Sequence, residues 1–380
     1  MKDRIFYLGF YNNEIISSEN REFFPAADTK MEYVRSVLGG LANKVHIISP
    51  SRTKCNHYVQ GNVSVLDDKT DLKTFNSFGE GSKIKRFLGR YFIKIQLMLY
   101  LLSSISNRDI LVVYHSLSYM KIISWAKKIK KFKVIEEIEE IYADVTNNRK
   151  IRSKEFEFFQ IADGYVFSTE LLNKEINISN KPYAVANGTY KAEPLLCNKF
   201  DDGNIHVVYA GTLDHRKGGA ISAVTSARFL PSKYHIHILG FGSNEQKEML
   251  VKSIKDNSVD GHAKVTYDGL LVGDDYKRFI QSCHIGLSTQ NPDASFNATS
   301  FPSKILAYMA NGLKVVSIRI PAIEESAVGN YVYFYDRQKP EEIAEVIKSI
   351  SFDDNYDSRN LLNKLHLNFA GSFLDIVDVL

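Results

Sequence analysis

Short runs of apolar, β-branched and aromatic residues alternate with longer amphipathic segments through the first half of the chain. These runs predict five strands, at residues 4–10, 44–50, 109–115, 132–138 and 164–169. Helix-like stretches lie between them, for example at residues 30–41 and 118–130. Strands that alternate with helices in this way indicate a parallel sheet covered on both faces.

The second half repeats the pattern, and glycines mark the ends of its predicted strands more clearly. It predicts strands at residues 205–211, 234–242, 263–269, 284–290, 314–320 and 331–336, and helices at 219–229, 245–256, 274–281, 303–311 and 341–349. The polar stretch 190–204 is the best linker candidate. We therefore predict an α/β protein of two doubly wound, Rossmann-like domains that face a cleft. Ligands of such folds bind at the carboxyl ends of the strands.

Composition narrows the classes of function. A chain of 380 residues is longer than one core usually supports, and 44% hydrophobic with 24% charged residues is typical of a globular protein. A net charge of +4 without a Lys/Arg block does not favour nucleic acid as a partner. Cys55, Cys197 and Cys283 are far apart and indicate neither disulfides nor a metal site. No run reaches the ~18–20 apolar residues of a membrane span, so we expect a cytoplasmic protein.

Six segments of the second half follow one another in a familiar order: VVYAGTLDHRKGG, HILGFGSNEQKEML, VTYDGLL, CHIGLST, FPSKILAYMANGLKVVS and PAIEESAVGNYVYFYD. In order and spacing they resemble retaining glycosyltransferases of family 4, of the type that builds bacterial surface polysaccharides. The resemblance implies the GT-B fold and a nucleotide-sugar donor, most often a UDP-sugar, with no cofactor or metal. It implies an acceptor-binding domain at residues 1–190, joined by a final crossover at 360–380, and a donor-binding domain at 191–359.

The stretch 210–219 places glycines and a basic pair between a strand and a helix. Glycine lets a backbone approach a diphosphate, and a basic side chain neutralises it. The family carries Gly-Arg and then Lys-Gly here, which implies donor contacts for Gly211 and Lys217. Thr212 stands where relatives have the arginine, and Arg216 is the candidate for the missing charge. A surface turn with solvated charges is the alternative.

Two further segments are donor-binding candidates. Gly240 and Gly242 end a strand before a helix, a weak signal alone, and the resemblance places them beside the nucleotide base. Thr299, Ser300, Ser303 and Lys304 enter a predicted helix, whose free N–H groups favour a phosphate. The same serines would serve as ordinary helix caps. Relatives often carry two glutamates at the positions of Thr299 and Ala307, and both are absent.

Three acidic or histidine positions are candidates for sugar chemistry. Glu324 falls in a Pro-x-x-Glu-like pattern and could accept hydrogen bonds from hydroxyls, or could simply be exposed at a helix start. His115 follows a predicted strand, although a lone histidine is more often structural. Glu139 stands about where relatives have a histidine close to the reacting sugar. It would act as a base or stabilise positive charge, or lie in a solvated acidic loop.

Lys83, Arg86, Arg90 and Lys94 are spaced by three, four and four residues and form one stripe on a predicted helix. A basic stripe beside apolar residues favours peripheral docking on the anionic inner face of a cell membrane, near a lipid-linked acceptor. A helix packed on the sheet with a solvated basic edge is the alternative interpretation.

These features favour a glycosyltransferase that acts on a hydroxyl of a glycan or lipid-linked glycan, with Lys217 and the helix at Ser303 stabilising the leaving diphosphate. Two alternatives stay open. One is a GT-B sugar-nucleotide epimerase. The other is a catalytically weak binding partner in a glycan-assembly complex. This alternative is supported by Thr212, Thr299 and Ala307, which replace the arginine and the two glutamates of the family.

Overall fold

The chain forms two compact units. The computed structural model describes residues 2–79, 83–146, 148–214, 218–291, 299–352 and 356–380. The N-terminal unit comprises Met1–Thr189 together with Asn368–Leu380, and the C-terminal unit comprises Tyr190–Leu367.

The N-terminal unit is built on a sheet that is parallel except at one edge. Its strands are β1 (Lys2–Leu8), β2 (Ala42–Ser49), β3 (Val63–Val65), β4 (Thr70–Thr74), β5 (Ile110–Tyr114), β6 (Lys133–Ile138), β7 (Gly164–Phe167) and β8 (Tyr183–Val185). They lie in the order β3-β4-β2-β1-β5-β6-β7-β8, with only the β3–β4 pair antiparallel in the described part of the unit. The helices are α1 (Pro25–Leu41), α2 (Lys83–Ser104), α3 (Met120–Lys130), α4 (Tyr142–Val145), α5 (Arg149–Phe159) and α6 (Glu170–Ile176), after a 3-10 turn at Glu14–Glu19.

The C-terminal unit repeats the design with a fully parallel sheet in its described residues. Its strands are β9 (Ile205–Thr212), β10 (Tyr234–Phe241), β11 (Lys264–Gly269), β12 (Ile285–Ser288), β13 (Lys314–Ile318) and β14 (Val332–Tyr335), in the order β11-β10-β9-β12-β13-β14. The helices are α7 (Gly219–Ser226), α8 (Asn244–Asn257), α9 (Gly273–Ser282), α10 (Lys304–Ala310), α11 (Pro321–Glu324) and α12 (Pro340–Lys348), with 3-10 turns at Ala227–Phe229 and Gly329–Tyr331. The last helix, α13 (Ser358–Val379), begins in this unit and ends in the N-terminal one.

The central strands are buried on both faces, as a doubly covered parallel sheet requires. Ile5, Leu111 and Val134 in the first sheet are fully or almost fully buried, and so are Val207 and Ile236 in the second. The predicted fold class, two Rossmann-like α/β domains, is therefore confirmed.

The hydrophobic pattern found all the central strands and missed three at the margins: β3, β4 and β8. In β4 the inward-facing residues are Thr70, Leu72 and Thr74. Two of these three carry hydroxyls, so the strand has too little apolar character to be recognised from periodicity.

Candidate active site

The carboxyl ends of β9 and β10 approach each other closely in the C-terminal unit. The two strands pair in register as far as Gly211 with Gly240 and Thr212 with Phe241. Gly240 has a φ of 146°, and a Cβ built on it would lie 1.7 Å from the carbonyl oxygen of Gly211. Only glycine fits this position. The two strand ends are therefore closely apposed. At Gly211, which is half-buried, no side chain of its own blocks the approach of a phosphate or a nucleotide.

Lys304 brings a positive charge to the same strand end. Its Nζ lies 4.2 Å from the ring centroid of Tyr209, and 3.2 Å from the place where a Cβ on Gly211 would be. Tyr209 donates a hydrogen bond of 3.3 Å to the carbonyl of Thr212, and burial raises the pKa of its phenol to about 12. The tyrosine is therefore neutral at pH 7, and its face holds the ammonium group next to the glycine backbone.

A third glycine, Gly219, lies at this edge. A Cβ on Gly219 would lie 2.5 Å from the hydroxyl of Tyr209 and 2.6 Å from the carbonyl oxygen of Thr289. The hydroxyl of Thr289 donates a 2.8 Å hydrogen bond to the carbonyl of Gly219. The start of α7 is thus packed directly against Tyr209 of β9 and against Thr289, which follows β12. The sequence interpretation did not single out Tyr209, Gly219 or Thr289.

The serines before α10 do not cap it with their side chains, contrary to the capping alternative. Ser303 is the N-cap residue, but its side chain makes no capping hydrogen bond. The hydroxyl of Ser300 is buried and has no hydrogen-bond partner among the described residues. Thr299 is half-buried before the helix, and Ala307 lies within α10, one turn after Ser303. Neither serine hydroxyl is therefore engaged by the first turn of the helix.

Gly242 and Glu324 occupy more ordinary surroundings. A Cβ on Gly242 would lie 2.6 Å from the amide oxygen of Gln246, which forms a capping box with Ser243 at the start of α8. Glu324 ends α11 and is exposed, with its carboxylate 2.7 Å from the guanidinium of Arg319. Arg216 and Lys217 lie outside the described residues.

In the N-terminal unit, Glu139 follows β6 and is held by a buried lysine. The Nζ of Lys30 lies 3.1 Å from a Glu139 carboxylate oxygen and donates a 2.7 Å hydrogen bond to the carbonyl of Ala186. Lys30 is 5% exposed, whereas the Glu139 side chain is 26% exposed. That oxygen is buried and makes no hydrogen bond among the described residues, so Lys30 holds the partly exposed carboxylate by charge alone.

Glu137 lies next to this ion pair and is fully buried. Tyr7 donates a 2.5 Å hydrogen bond to one of its carboxylate oxygens, and the other has no hydrogen-bond partner in the described structure. Burial raises the pKa of Glu137, Glu139 adds to the rise, and Lys30 opposes it. The expected strand end between Glu137 and Glu139 is confirmed, because β6 stops at Ile138.

His115, a sequence candidate for sugar chemistry, is buried just beyond the end of β5. The imidazole is 2% exposed and lies in the core, stacked on Tyr142. Nδ1 lies 2.8 Å from Glu136 and Nε2 2.8 Å from Glu155. Burial lowers the pKa of His115, but the hydrogen bonds and charges of the two glutamates outweigh this and raise it to about 9. With both nitrogens engaged, the ring suits a structural role better than contact with a substrate.

The basic helix predicted between residues 82 and 102 is α2, and it has two apolar faces. Ile93, Leu97 and Leu101 are buried in the core of the unit. Ile84, Phe87, Leu88, Tyr91, Ile95 and Leu99 form a second stripe that is 54–71% exposed. Arg86 and Arg90 are exposed beside it, and Lys94 is half-buried. Lys83 begins the helix. No helix within the described residues has both the length and the apolar character needed to cross a bilayer.

One missed residue left a signal in the sequence. Lys30 occupies the inward stripe of α1, together with Ala27, Met31, Val34 and Leu38. A lysine among core-facing positions needs a buried partner, because an unpaired charge is costly there. The position predicts a polar contact, although the sequence does not say with which group.

Comparison with known families decides what the C-terminal unit is. Residues 204–353, which include β9, Lys304 and Glu324, match the family described as glycosyl transferases group 1. The C-terminal unit carries a glycosyl transferases group 1 domain. No curated protein sequence matches the chain.

Solved structures share the fold of the chain along its whole length. The Escherichia coli trehalose-6-phosphate structure bound with UDP-2-fluoro glucose has a TM-score of 0.69 at 11% identity, covering 98% of this chain and 99% of that one. The α,α-trehalose 6-phosphate synthase of Burkholderia multivorans has a TM-score of 0.69 at 10% identity, covering 100% and 96%. Anabaena HepE in complex with UDP and glucose has a TM-score of 0.62 at 10% identity, covering 99% of both chains. The chain therefore has the GT-B fold.

Proposed function

We propose that this protein is a retaining, family 4-like glycosyltransferase that transfers a sugar from a UDP-sugar to a hydroxyl of a glycan or lipid-linked glycan, in surface-polysaccharide synthesis. The observation that carries the proposal is the edge formed by Gly211, Gly240 and Lys304. This glycine-lined strand end with one cation lies inside the stretch that matches glycosyl transferases group 1.

The chemistry of that edge fits the diphosphate of a nucleotide-sugar. Backbone without side chains lets phosphate oxygens come close, and the ammonium of Lys304 balances their charge. Lys217 and Arg216 are expected to add positive charge on sequence grounds. Two of the structural neighbours hold a uridine nucleotide or its sugar derivative, which supports a UDP-sugar as donor here.

In the reaction, the bond between the anomeric carbon and the diphosphate oxygen breaks, and a bond to the acceptor oxygen forms. The diphosphate leaves with the electron pair, stabilised by Lys304 and Lys217. The acceptor hydroxyl loses its proton to a base. Glu139 is our candidate for that base, or for the carboxylate that stabilises positive charge at the anomeric carbon. Lys30 positions it in either role.

Donor binding is tested by thermal unfolding of the purified protein with a panel of nucleotide-sugars. A ligand at 100 times its Kd stabilises the folded state by about 2.7 kcal/mol. We expect one UDP-sugar to raise Tm, and Lys217→Ala to abolish the rise. Lys233→Ala is the control, because Lys233 precedes β10 and lies at the strand end opposite to Gly240. If no nucleotide-sugar changes Tm, both a transferase and an epimerase are ruled out, and the binding-partner alternative is favoured.

The role of Glu139 is tested with Glu139→Gln, which removes the charge and keeps the shape. We expect sugar transfer to slow by about 10²–10⁴-fold, the usual range for a lost base, while donor-induced stabilisation is retained. Glu157→Gln, at an exposed position of α5, is the control. A transfer rate that is equal in both variants would remove Glu139 from the chemistry. An epimerase would instead change the sugar of the donor without an acceptor.

The second apolar stripe of α2 supports a lipid-linked acceptor. Exposed apolar residues flanked by Arg86 and Arg90 match an anionic membrane surface, where each basic residue contributes about 1 kcal/mol. We expect co-sedimentation with phosphatidylglycerol vesicles but not with phosphatidylcholine vesicles. Arg86→Glu with Arg90→Glu should abolish it, whereas the control pair Lys252→Glu and Lys255→Glu on α8 should not. Equal binding to both kinds of vesicle would contradict the electrostatic part of this proposal.

A further inference from the structure

Three histidines of the C-terminal unit lie on one face of two adjacent strands. His206 of β9 pairs in register with His235 of β10, and His237 is two residues further along β10. Because side chains alternate along a strand, all three imidazoles project from the same face. One ring nitrogen from each lies within 4.8 Å of one from each of the others. Three imidazoles thus converge on one small volume.

This volume is in the layer that covers the sheet. His206 is 3% and His237 5% exposed. The ring centroids of His206 and Phe200 are 4.3 Å apart, and those of His237 and Phe279 are 5.1 Å apart. Strands in such a sheet normally carry apolar residues at these positions. Buried imidazoles need polar partners to offset their lost hydration, so the cluster calls for a specific explanation.

Two aspartates hold the outer nitrogens of this cluster. Nε2 of His206 lies 2.9 Å from Asp202, and Nδ1 of His237 lies 3.1 Å from Asp268. A carboxylate beside an imidazole favours a proton on the nitrogen that faces it. Histidines that bind a metal usually donate their second ring N–H to a carboxylate in this way. The aspartates thus leave the inner nitrogens available as ligands.

Those inner nitrogens, Nδ1 of His206 and Nε2 of His237, are 2.8 Å apart. If both outer nitrogens carry protons, two lone pairs face each other, which is unfavourable unless a proton or a metal ion lies between them. A shared proton involves only two imidazoles, and the third, His235, also converges here. Its Nε2 lies 3.1 Å from the hydroxyl of Thr266.

We propose that His206, His235 and His237 bind one zinc ion. Imidazole nitrogen is a preferred zinc ligand, and three histidines supply three of the four positions of a tetrahedral site. Bonds of about 2.0–2.1 Å place ligand nitrogens about 3.4 Å apart, so the two inner nitrogens would separate by about half an ångström.

The position of the site assigns the ion a structural role. His206 is the second residue of β9, and Gly211 at the candidate donor edge is five residues further on. Five residues of a strand span about 16 Å, so the ion would lie too far away to contact the donor phosphates. It would instead cross-link the amino-terminal ends of β9 and β10. Asp202, through its contact with His206, would link the ion site to the segment before β9.

The test uses the full chain, stripped with a chelator, dialysed and titrated with Zn²⁺ alone. We expect one equivalent to bind and Tm to rise. Co²⁺ in place of zinc should give the visible absorption of a tetrahedral nitrogen site. His206→Ala and His237→Ala should lose this binding, and His262→Ala, at an exposed histidine of the same unit, should keep it. Asp268→Asn, which keeps all three ligands, should weaken zinc binding by about 10–100-fold.

Two results would overturn the proposal. One is a stripped wild-type chain that binds no more Zn²⁺ than His237→Ala, which would leave a shared proton as the explanation of the contact. The other is loss of donor-induced stabilisation in a stripped chain that is still folded by circular dichroism, because that would place the ion in the donor site. Since wild-type cobalt absorption needs no variant, the test holds even if a histidine variant fails to fold.

Discussion

The two units place different kinds of polar group at the ends of their strands. In the N-terminal unit, charged side chains are buried and paired: His115 lies between Glu136 and Glu155, and Lys30 holds Glu139. In the C-terminal unit, the corresponding edge is backbone at Gly211 and Gly240, with Lys304 over a tyrosine ring.

The two edges differ in how much the stability of the fold depends on them. A buried charge without its partner is costly, so the N-terminal pairs make stability depend on each member. Glycine carries no side chain that needs a buried partner, and a ligand can approach its backbone closely. We therefore expect substitutions in the first region to act mainly on folding, and a substitution of Lys304 to act mainly on donor binding.

The largest effect is expected from His115→Leu. The change leaves Glu136 and Glu155 buried without their shared partner, which should cost about 3–5 kcal/mol of unfolding free energy. Urea unfolding at pH 7 measures it. The control is His57→Leu, at an exposed position of the same unit, with an expected change within about 0.5 kcal/mol. Similar values for the two variants would remove the contrast between the units.

The pH dependence of stability should reveal the same cluster. The pKa of His115 is raised from 6.5 to about 9, so the folded state binds this proton more tightly than the unfolded state. The stabilisation is then complete below pH 6.5 and is lost as the pH rises through about 9. It amounts to about 3 kcal/mol. We expect the difference in unfolding free energy between wild type and His115→Leu to shrink by this amount from pH 6 to pH 10. A difference that grows with pH would have the wrong sign.

The close contact between Gly240 and the carbonyl of Gly211 predicts a loss of stability when a side chain is added. Gly240→Ala should lower the unfolding free energy by about 2 kcal/mol more than Gly203→Ala, because overpacking adds to the backbone strain. Both glycines have a positive φ, but a Cβ on Gly203 meets nothing within 4 Å, whereas one on Gly240 meets the carbonyl of Gly211. Chemical denaturation of the two variants gives the difference. Equal losses would mean that the strand ends are not closely apposed.

The smallest effect on stability is expected from Lys304→Ala. Loss of one charge-assisted contact to the donor should weaken nucleotide-sugar binding by about 1.5–3 kcal/mol, while the unfolding free energy of the free protein changes by less than about 0.5 kcal/mol. Isothermal titration calorimetry and urea unfolding measure the two quantities. A variant that loses stability but keeps its donor affinity would place Lys304 with the buried charges of the N-terminal unit.

Sequence motifs predicted the residues of the donor edge but not the contacts between residues that are distant in the sequence. Gly211, Gly240 and Lys304 were predicted because strand ends and helix starts leave clear signals in glycine, proline and basic residues. The engagement of His115 by Glu136 and Glu155 was not predicted, since it joins residues 21 and 40 positions away from it. Lys30 and Tyr209 were missed for the same reason: their partners are brought together only by packing.

The sequence by itself determined the architecture, because alternation of apolar strands with amphipathic helices is a local property that survives without any knowledge of contacts. It also determined the order of the donor-edge motifs. Only the tertiary structure decided which charges are paired, which glycines touch other backbone, and that three histidines from two strands share one face. Those features depend on strand order and register, and on the burial that changes a pKa. A linear pattern contains none of these quantities explicitly.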